Sequence, residues 1–392
     1  MDIGRGRGAA LRRILVVKLA SLGDLLTATP TLRALRTSFP HAHIAVLTTP
    51  SSAPALRGLD SLDEVILFDK FAFDRPRDTV RGLPQALRFA RDLRAGGWDA
   101  LVLLHHLTTP FGLAKYAALA RASGAPVRAG LDNGRGRWFL THRAVDRGFG
   151  SRHEADYWLD VVEALGACRP ARPRLELAIA PDDETWAAAR WDEMAPGQAA
   201  LLVPGSGAFS VARRWSPERF AEVGRALPAE DDLTPIVLSG LATDEQALAW
   251  RIAADIGPEA RVAPPAPSPQ ALGALIRRCR LVVANDSGPV HIAATVGTPV
   301  VAIFGPTNHR AWGPYPPHAE RNQVVREPLA CSPCVHRGHN FGTPQGCAAR
   351  TCLAILEPAT VLAAGRRLLA AGPLDQPTAE KVVVSTGSRA TP

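Results

Sequence analysis

The chain has 392 residues, 46% of them hydrophobic and 21% charged, a balance ordinary for a soluble globular protein with a sizeable core. At about 100–200 residues per domain this length suggests two domains, and no apolar run reaches the ~18 residues that cross a bilayer. The formal net charge of +8 favours anionic partners such as phosphates, nucleic acid or an acidic membrane face, although the basic residues are spread along the chain without a concentrated block.

Residues 1–12 are rich in Gly and Arg and read as a flexible tail. The following "ILVVKLA" is short, is broken by Lys18 and runs into a helical pattern, so it reads as a first strand and not a signal peptide; this places the protein in the cytoplasm. Short branched runs at 14–18, 43–48, 64–68 and 100–104 then alternate with helical stretches near 24–38, 80–95 and 111–123. A stretch with three prolines, 169–181, marks the boundary. The alternation restarts, with strands at 200–204, 235–239, 281–285 and 300–305 and helices at 216–227, 244–256 and 268–279. Two of these helices open on a serine followed by proline, Ser216-Pro217 and Ser268-Pro269, a favourable N-cap and N1 pair. Residues 373–392 are polar and read as a second flexible tail. The fold class is therefore α/β: two Rossmann-like domains, 13–180 and 181–372, with parallel sheets facing a central cleft, where ligands of such sheets bind at the strand C-termini.

Four constellations could carry chemistry. In "NDSGPVHIAA", Pro289 suits the first helical turn and Gly288 lets the backbone approach a ligand. A helix start there favours phosphate, with Asp286, Ser287 and His291 arranged around it; the competing reading makes Asp286 or Ser287 a simple helix cap. In "VVKLASLGDLLTATP", Asp24 follows the first strand at a helix start and can act as general base toward an acceptor hydroxyl, or merely cap the helix. In "VPGSGAFSVARRWSPERF", a Gly/Ser loop leads into Arg213 and Arg214, and an arginine there can neutralise a phosphate leaving group. Finally Cys331, Cys334, Cys347 and Cys352 form C-x2-C and C-x4-C pairs that could ligate a structural zinc, with His336 and His339 as spare ligands. A disulfide is disfavoured in a cytoplasmic protein. Cys168 and Cys279 read as inert. Gly4-x-Gly6-x-x-Ala9 precedes its strand instead of following it, so it is no dinucleotide fingerprint.

Together these motifs resemble glycosyltransferase family nine, the ADP-heptose:lipopolysaccharide heptosyltransferases, over about residues 13–369. "VVKLASLGDLLTATPTLRALR" looks like the family's opening K-x-x-x-x-G-D motif. "PGSGAFSVARRWSPERF" looks like its P-G-x…K-x-W-P segment, and "NDSGPVHIAATVGTPVVAIFGPT" like its D-[ST]-G-x-x-H signature. The cysteine run is similar to a tail found in many members. The resemblance implies a two-lobed GT-B fold and an inverting, metal-independent transferase moving a heptose from ADP-heptose to lipopolysaccharide inner core. It implies Asp24 as catalytic base, and Arg213, Asp286, Ser287, Gly288 and His291 on the donor. It further implies Asp244 or Glu245 near the donor's ribose or base, and Lys18 near anionic groups. Two departures stand out: Arg213 replaces the usual lysine, and Pro217 comes one place late. The enzyme would need no cofactor for catalysis and would sit in the cytoplasm, peripherally at the inner membrane. The alternatives are a sugar-nucleotide epimerase or another sugar's transferase on the same fold, and a zinc-stabilised nucleic-acid-binding protein. Against the last, aromatic residues are only 6% and scattered.

Overall fold

The computed structural model describes residues 11–69, 83–207, 209–317 and 320–371. The expected tails, beyond residues 11 and 12, and the start of the helical stretch at 80–82 lie outside the described residues.

Two parallel six-stranded sheets form the frame. The first contains β1 (Arg13–Val17), β2 (His43–Thr48), β3 (Glu64–Leu67), β4 (Ala100–Leu103), β5 (Val127–Asp132) and β6 (His142–Val145), in the order β3-β2-β1-β4-β5-β6. The second contains β7 (Ala199–Val203), β8 (Thr234–Leu238), β9 (Arg261–Ala263), β10 (Leu281–Asn285), β11 (Val300–Ile303) and β12 (Asn322–Val325), in the order β12-β11-β10-β7-β8-β9. Both orders reverse at a central pair, β1/β4 and β7/β10, whose strands pair in parallel. The strand C-termini beside such a reversal leave a crevice, because the two connecting helices depart to opposite faces.

The central strands are apolar and covered on both faces. Ile14 to Val17 are fully buried, and every residue of β7 and β10 is buried. The expected strand at 64–68 is more exposed, as befits an edge. Strands β5, β6, β9 and β12 are additional to those read from the sequence. They are short or interrupted by polar residues, so their periodicity is weak. One buried apolar cluster runs from Ile14 and Leu25 of the first half to Val282 and Ile292 of the second, so the two halves share packing as well as topology.

Caps follow local chemistry unevenly. Ser268 accepts a hydrogen bond from the Ala271 amide and caps the helix Pro269–Arg278 as expected. Ser216 does not cap the helix Pro217–Asp231; its hydroxyl bonds the Glu218 carboxylate instead. A short antiparallel hairpin, β13 (Val335–Arg337) and β14 (Asn340–Gly342), projects from the second half and touches the first through the bridge Phe149↔Gly338.

Candidate active site

Two helix starts meet between the sheets. The helix Leu22–Leu26 follows β1, and the helix Gly288–Val296 follows β10. Glycine suits their approach: a Cβ on Gly23 would lie 2.9 Å from the His291 ring, and one on Gly288 would lie 3.3 Å from the Leu22 side chain. This fixes why both motifs carry glycine beside aspartate.

Asp24 stands in the first turn of its helix, not at its N-cap, which is Ser21. One carboxylate oxygen accepts from the Ser21 hydroxyl and the other from the Trp312 indole, both at 2.7 Å. Burial pushes its pKa up. The Lys18 ammonium and the two donors outweigh burial and hold the carboxyl below its usual range. It is therefore ionised at neutral pH and able to accept a proton. Lys18 is buried just past β1, where its ammonium donates to the Leu104 carbonyl at 3.1 Å and lies 3.9 Å above the Trp158 ring.

Asp286 is buried at the end of β10 and accepts from the Thr307 hydroxyl at 2.5 Å. Arg213 approaches it at 3.4 Å and also donates to the Ser206 carbonyl at 2.5 Å. Ser287 holds the N-cap position, yet its hydroxyl donates backwards to the Asn285 carbonyl at 3.0 Å and caps nothing. The first amides of this helix are thus left without a side-chain cap, which is the arrangement that receives an anion. Asn285 braces the floor, accepting from the Trp215 amide at 3.0 Å and donating to the Pro204 carbonyl at 2.7 Å.

His291 is buried between the two aspartates. Burial pushes its pKa down against the pull of Asp286 and Asp24, so the ring is neutral. Its Nδ1 is shielded from solvent and has no hydrogen-bond partner among the described residues.

The remaining donor-side candidates separate. Glu245 is buried and accepts the amides of Ser206 and Gly207, each at 3.0 Å, so it shapes the loop after β7. Asp244 is more exposed and pairs with Arg214 at 2.8 Å, and Arg214 reaches Glu245 at 3.1 Å.

The zinc expectation for the cysteines gains no support. Cys331, Cys334, Cys347 and Cys352 line one cavity of about 100 Å³, but all are free thiols. Among the described residues no set of three or more His, Cys, Asp or Glu side chains is placed to hold a metal ion. The C-x2-C and C-x4-C spacings bring the thiols to one cavity, and His336 and His339 face elsewhere, toward the aspartates and the first half.

Sequence reasoning passed over Trp312, Thr307 and Phe149. Trp312 sits in an unpatterned four-residue helix, His309–Trp312, and reaches Asp24 from 288 positions away, so no local signal marks it.

Residues 86–343 match the family model described as Glycosyltransferase family 9 (heptosyltransferase). The chain is 24% identical over 316 residues to the lipopolysaccharide core heptosyltransferase OpsX of Haemophilus influenzae, covering 78% of this chain and 82% of that one. It superposes on a glycosyl transferase family 9 structure from Veillonella parvula with a TM-score of 0.71 at 24% identity, over 93% of this chain and 99% of the other. The structure of the E. coli ADP-heptose lps heptosyltransferase II matches with a TM-score of 0.68 at 19% identity, over 92% and 99% of the two chains.

Proposed function

The chain belongs to glycosyltransferase family 9, with the two-sheet GT-B fold, and from that premise we propose that Asp24 and Asp286 are the two poles of its transfer site. The enzyme is a glycosyltransferase of the heptosyltransferase type. In this reading the donor is ADP-heptose and the acceptor is a hydroxyl of the lipopolysaccharide inner core. The carrying observation is the meeting of two helix starts without side-chain caps, with half-buried Asp24 in the first turn of one, buried Asp286 just before the other, and glycine at the contact.

The mechanism follows from this placement. The donor diphosphate docks on the first amides of the helix Gly288–Val296, beside Ser287, Gly288 and Arg213. Asp244, at the rim next to Arg214, meets the ribose side, and Glu245 shapes the loop beside it. The acceptor hydroxyl lies against Asp24, which takes its proton as the oxygen attacks the anomeric carbon from the face opposite the diphosphate. The C–O bond to the diphosphate breaks, and the configuration inverts. Arg213 and the helix amides stabilise the leaving charge, and the nearby Lys18 ammonium keeps Asp24 ionised between turnovers. Positive charge from the chain itself fills the part a metal would otherwise play, so catalysis is metal-independent. The basic surface suits an anionic glycolipid presented at the inner membrane face. Among the described residues no helix is long and apolar enough to cross a membrane.

Calorimetry of ADP, UDP, GDP and ADP-heptose on wild type and Asp24→Ala tests this, followed by ADP release with a lipopolysaccharide precursor, with and without EDTA. Asp24→Ala should keep ADP binding within about twofold and lose roughly 10²–10⁴ in turnover, and EDTA should leave the wild type unchanged. A wild type that binds no nucleotide overturns the reading.

A further inference from the structure

The hairpin β13–β14 is unexplained by this mechanism, yet it carries a side chain to the centre of the site. Val335 is buried, and its amide and that of Cys334 donate to the Pro306 carbonyl, both at 2.9 Å, so the hairpin base is fixed to the second half. The tip is fixed to the first half. The Phe149 amide donates to the Gly338 carbonyl at 2.7 Å, and His339 stands 3.4 Å from Asp146. Strand alternation then decides which residues look inward. Val335 pairs with Gly342 and Arg337 with Asn340, so His336 and Phe341 lie opposite each other on the other face. Their rings meet edge to face at 4.8 Å.

His336 is where two chains of contact converge. From the base side, Asp24 accepts the Trp312 indole proton at 2.7 Å, and the Trp312 ring lies 4.3 Å from the His336 ring. From the donor side, Arg213 reaches Asp286 at 3.4 Å and covers the Phe209 ring at 5.2 Å, and Phe209 stacks parallel to His336 at 6.0 Å. Phe149 closes the inner wall at 4.9 Å. The electrostatic field at His336 is set by Asp24, Asp286, His106 and Arg213, together with its own burial, which pushes its pKa down to about 4 and keeps the ring neutral.

Two features of His336 carry a cost that packing leaves unexplained. Its φ is +57°, in the left-handed region, which is unfavourable for a residue with a Cβ. Its Nδ1 is shielded from water and has no hydrogen-bond partner among the described residues, an unfavourable state for a polar group. Strained residues held by rigid surroundings cluster at functional sites, and the second ring nitrogen, Nε2, is neither shielded nor hydrogen-bonded among the described residues. Phe209 and Phe341 are partly exposed at the rim, offering apolar ring faces suited to the C–H face of a sugar.

We propose that His336 is a sugar-positioning residue. Its Nε2 hydrogen-bonds a hydroxyl of the transferred sugar, and Phe209, Phe341 and Trp312 hold the sugar's apolar face, between the diphosphate anchor at the start of the helix Gly288–Val296 and the base Asp24. The inference rests on the transferase reading above. It concerns the sugar and not the nucleotide, and that difference supplies the test.

The affinities of ADP and of ADP-heptose are compared by calorimetry for wild type, His336→Ala, His336→Gln and Phe341→Ala, with kcat and KM for ADP-heptose in the transfer assay. His336→Ala should weaken ADP-heptose about tenfold, leave ADP within twofold, and lower kcat/KM at least as much as affinity. His336→Gln should regain part of the loss, because its amide offers a donor and an acceptor. Phe341→Ala, at a partly exposed position, should show the same pattern with a smaller change and covers the case in which His336→Ala does not fold. Equal losses for ADP and ADP-heptose, or unchanged transfer in His336→Ala, overturn the proposal. No ADP binding by wild type sinks the transferase reading instead.

Discussion

At the residue scale, the site turns on how Asp24 is kept ionised. Buried carboxyls ordinarily gain protons, and here a nearby ammonium and two hydrogen-bond donors prevent it. Trp312→Phe removes one donor while keeping an aromatic ring beside His336. The Asp24 pKa should rise, because one charge-assisted hydrogen bond to the carboxylate is partly replaced by water. The acid limb of the kcat/KM profile should therefore move to higher pH, with the alkaline limb fixed; an unmoved acid limb would show that Trp312 does not act through Asp24. The aspartates, glycines and His291 of this site were legible because each sits in a motif at a strand-to-helix junction. Trp312 and His336 were not, since an isolated aromatic and a histidine in a cysteine-rich loop carry no spacing signal.

At the level of single elements, two helices with the same Ser-Pro opening behave differently. Ser268 caps its helix, whereas Ser216 spends its hydroxyl on Glu218. Ser268→Ala should cost about 1 kcal/mol in urea unfolding, and Ser216→Ala only a few tenths. Equal losses would contradict the assigned hydrogen bonds. Sequence could place both helix starts within a residue, because Ser-Pro fixes the backbone entry. It could not say which hydroxyl caps, because the competing carboxylate lies only two residues on and the choice is a rotamer. The same limit applies to the four cysteines. Spacing brings them to one cavity, but ligation depends on the direction of each thiol, which the loop's fold decides.

Across the whole molecule, the contact between the two halves rests on a buried charged group within the first. His106 lies between Asp146 at 3.0 Å and Glu154 at 3.1 Å, with its ring 4.4 Å from Phe149, the residue that docks the hairpin. Burial lowers its pKa, but Glu154 and Asp146 outweigh burial and raise it to about 9. The folded value exceeds the ordinary 6.5, so the native state holds a proton that the unfolded chain releases above that pH. The stabilisation is complete below about pH 6.5 and is lost as pH rises through about 9, by on the order of 3 kcal/mol. Denaturant midpoints measured from pH 6 to 10 should fall for wild type and lose that slope in His106→Gln, which should also be less stable at pH 7 because two buried carboxylates lose their partner. A wild-type midpoint flat across this window would exclude a charged His106.

What the sequence determined by itself is what depends on near neighbours. Branched apolar runs four to six residues long, set between helical patterns, specify buried parallel strands, because only a sheet covered on both faces hides both sides of such a run. Glycine beside aspartate at the end of such a strand specifies a ligand-ready turn, and the motif order carried the family. Tertiary structure alone decided what depends on meetings across the chain. Asp24 finds Trp312, Gly23 finds His291, and the hairpin brings His336 between the two aspartates. Those contacts join residues hundreds of positions apart, and their geometry is set by how the two sheets pack, which no local pattern encodes.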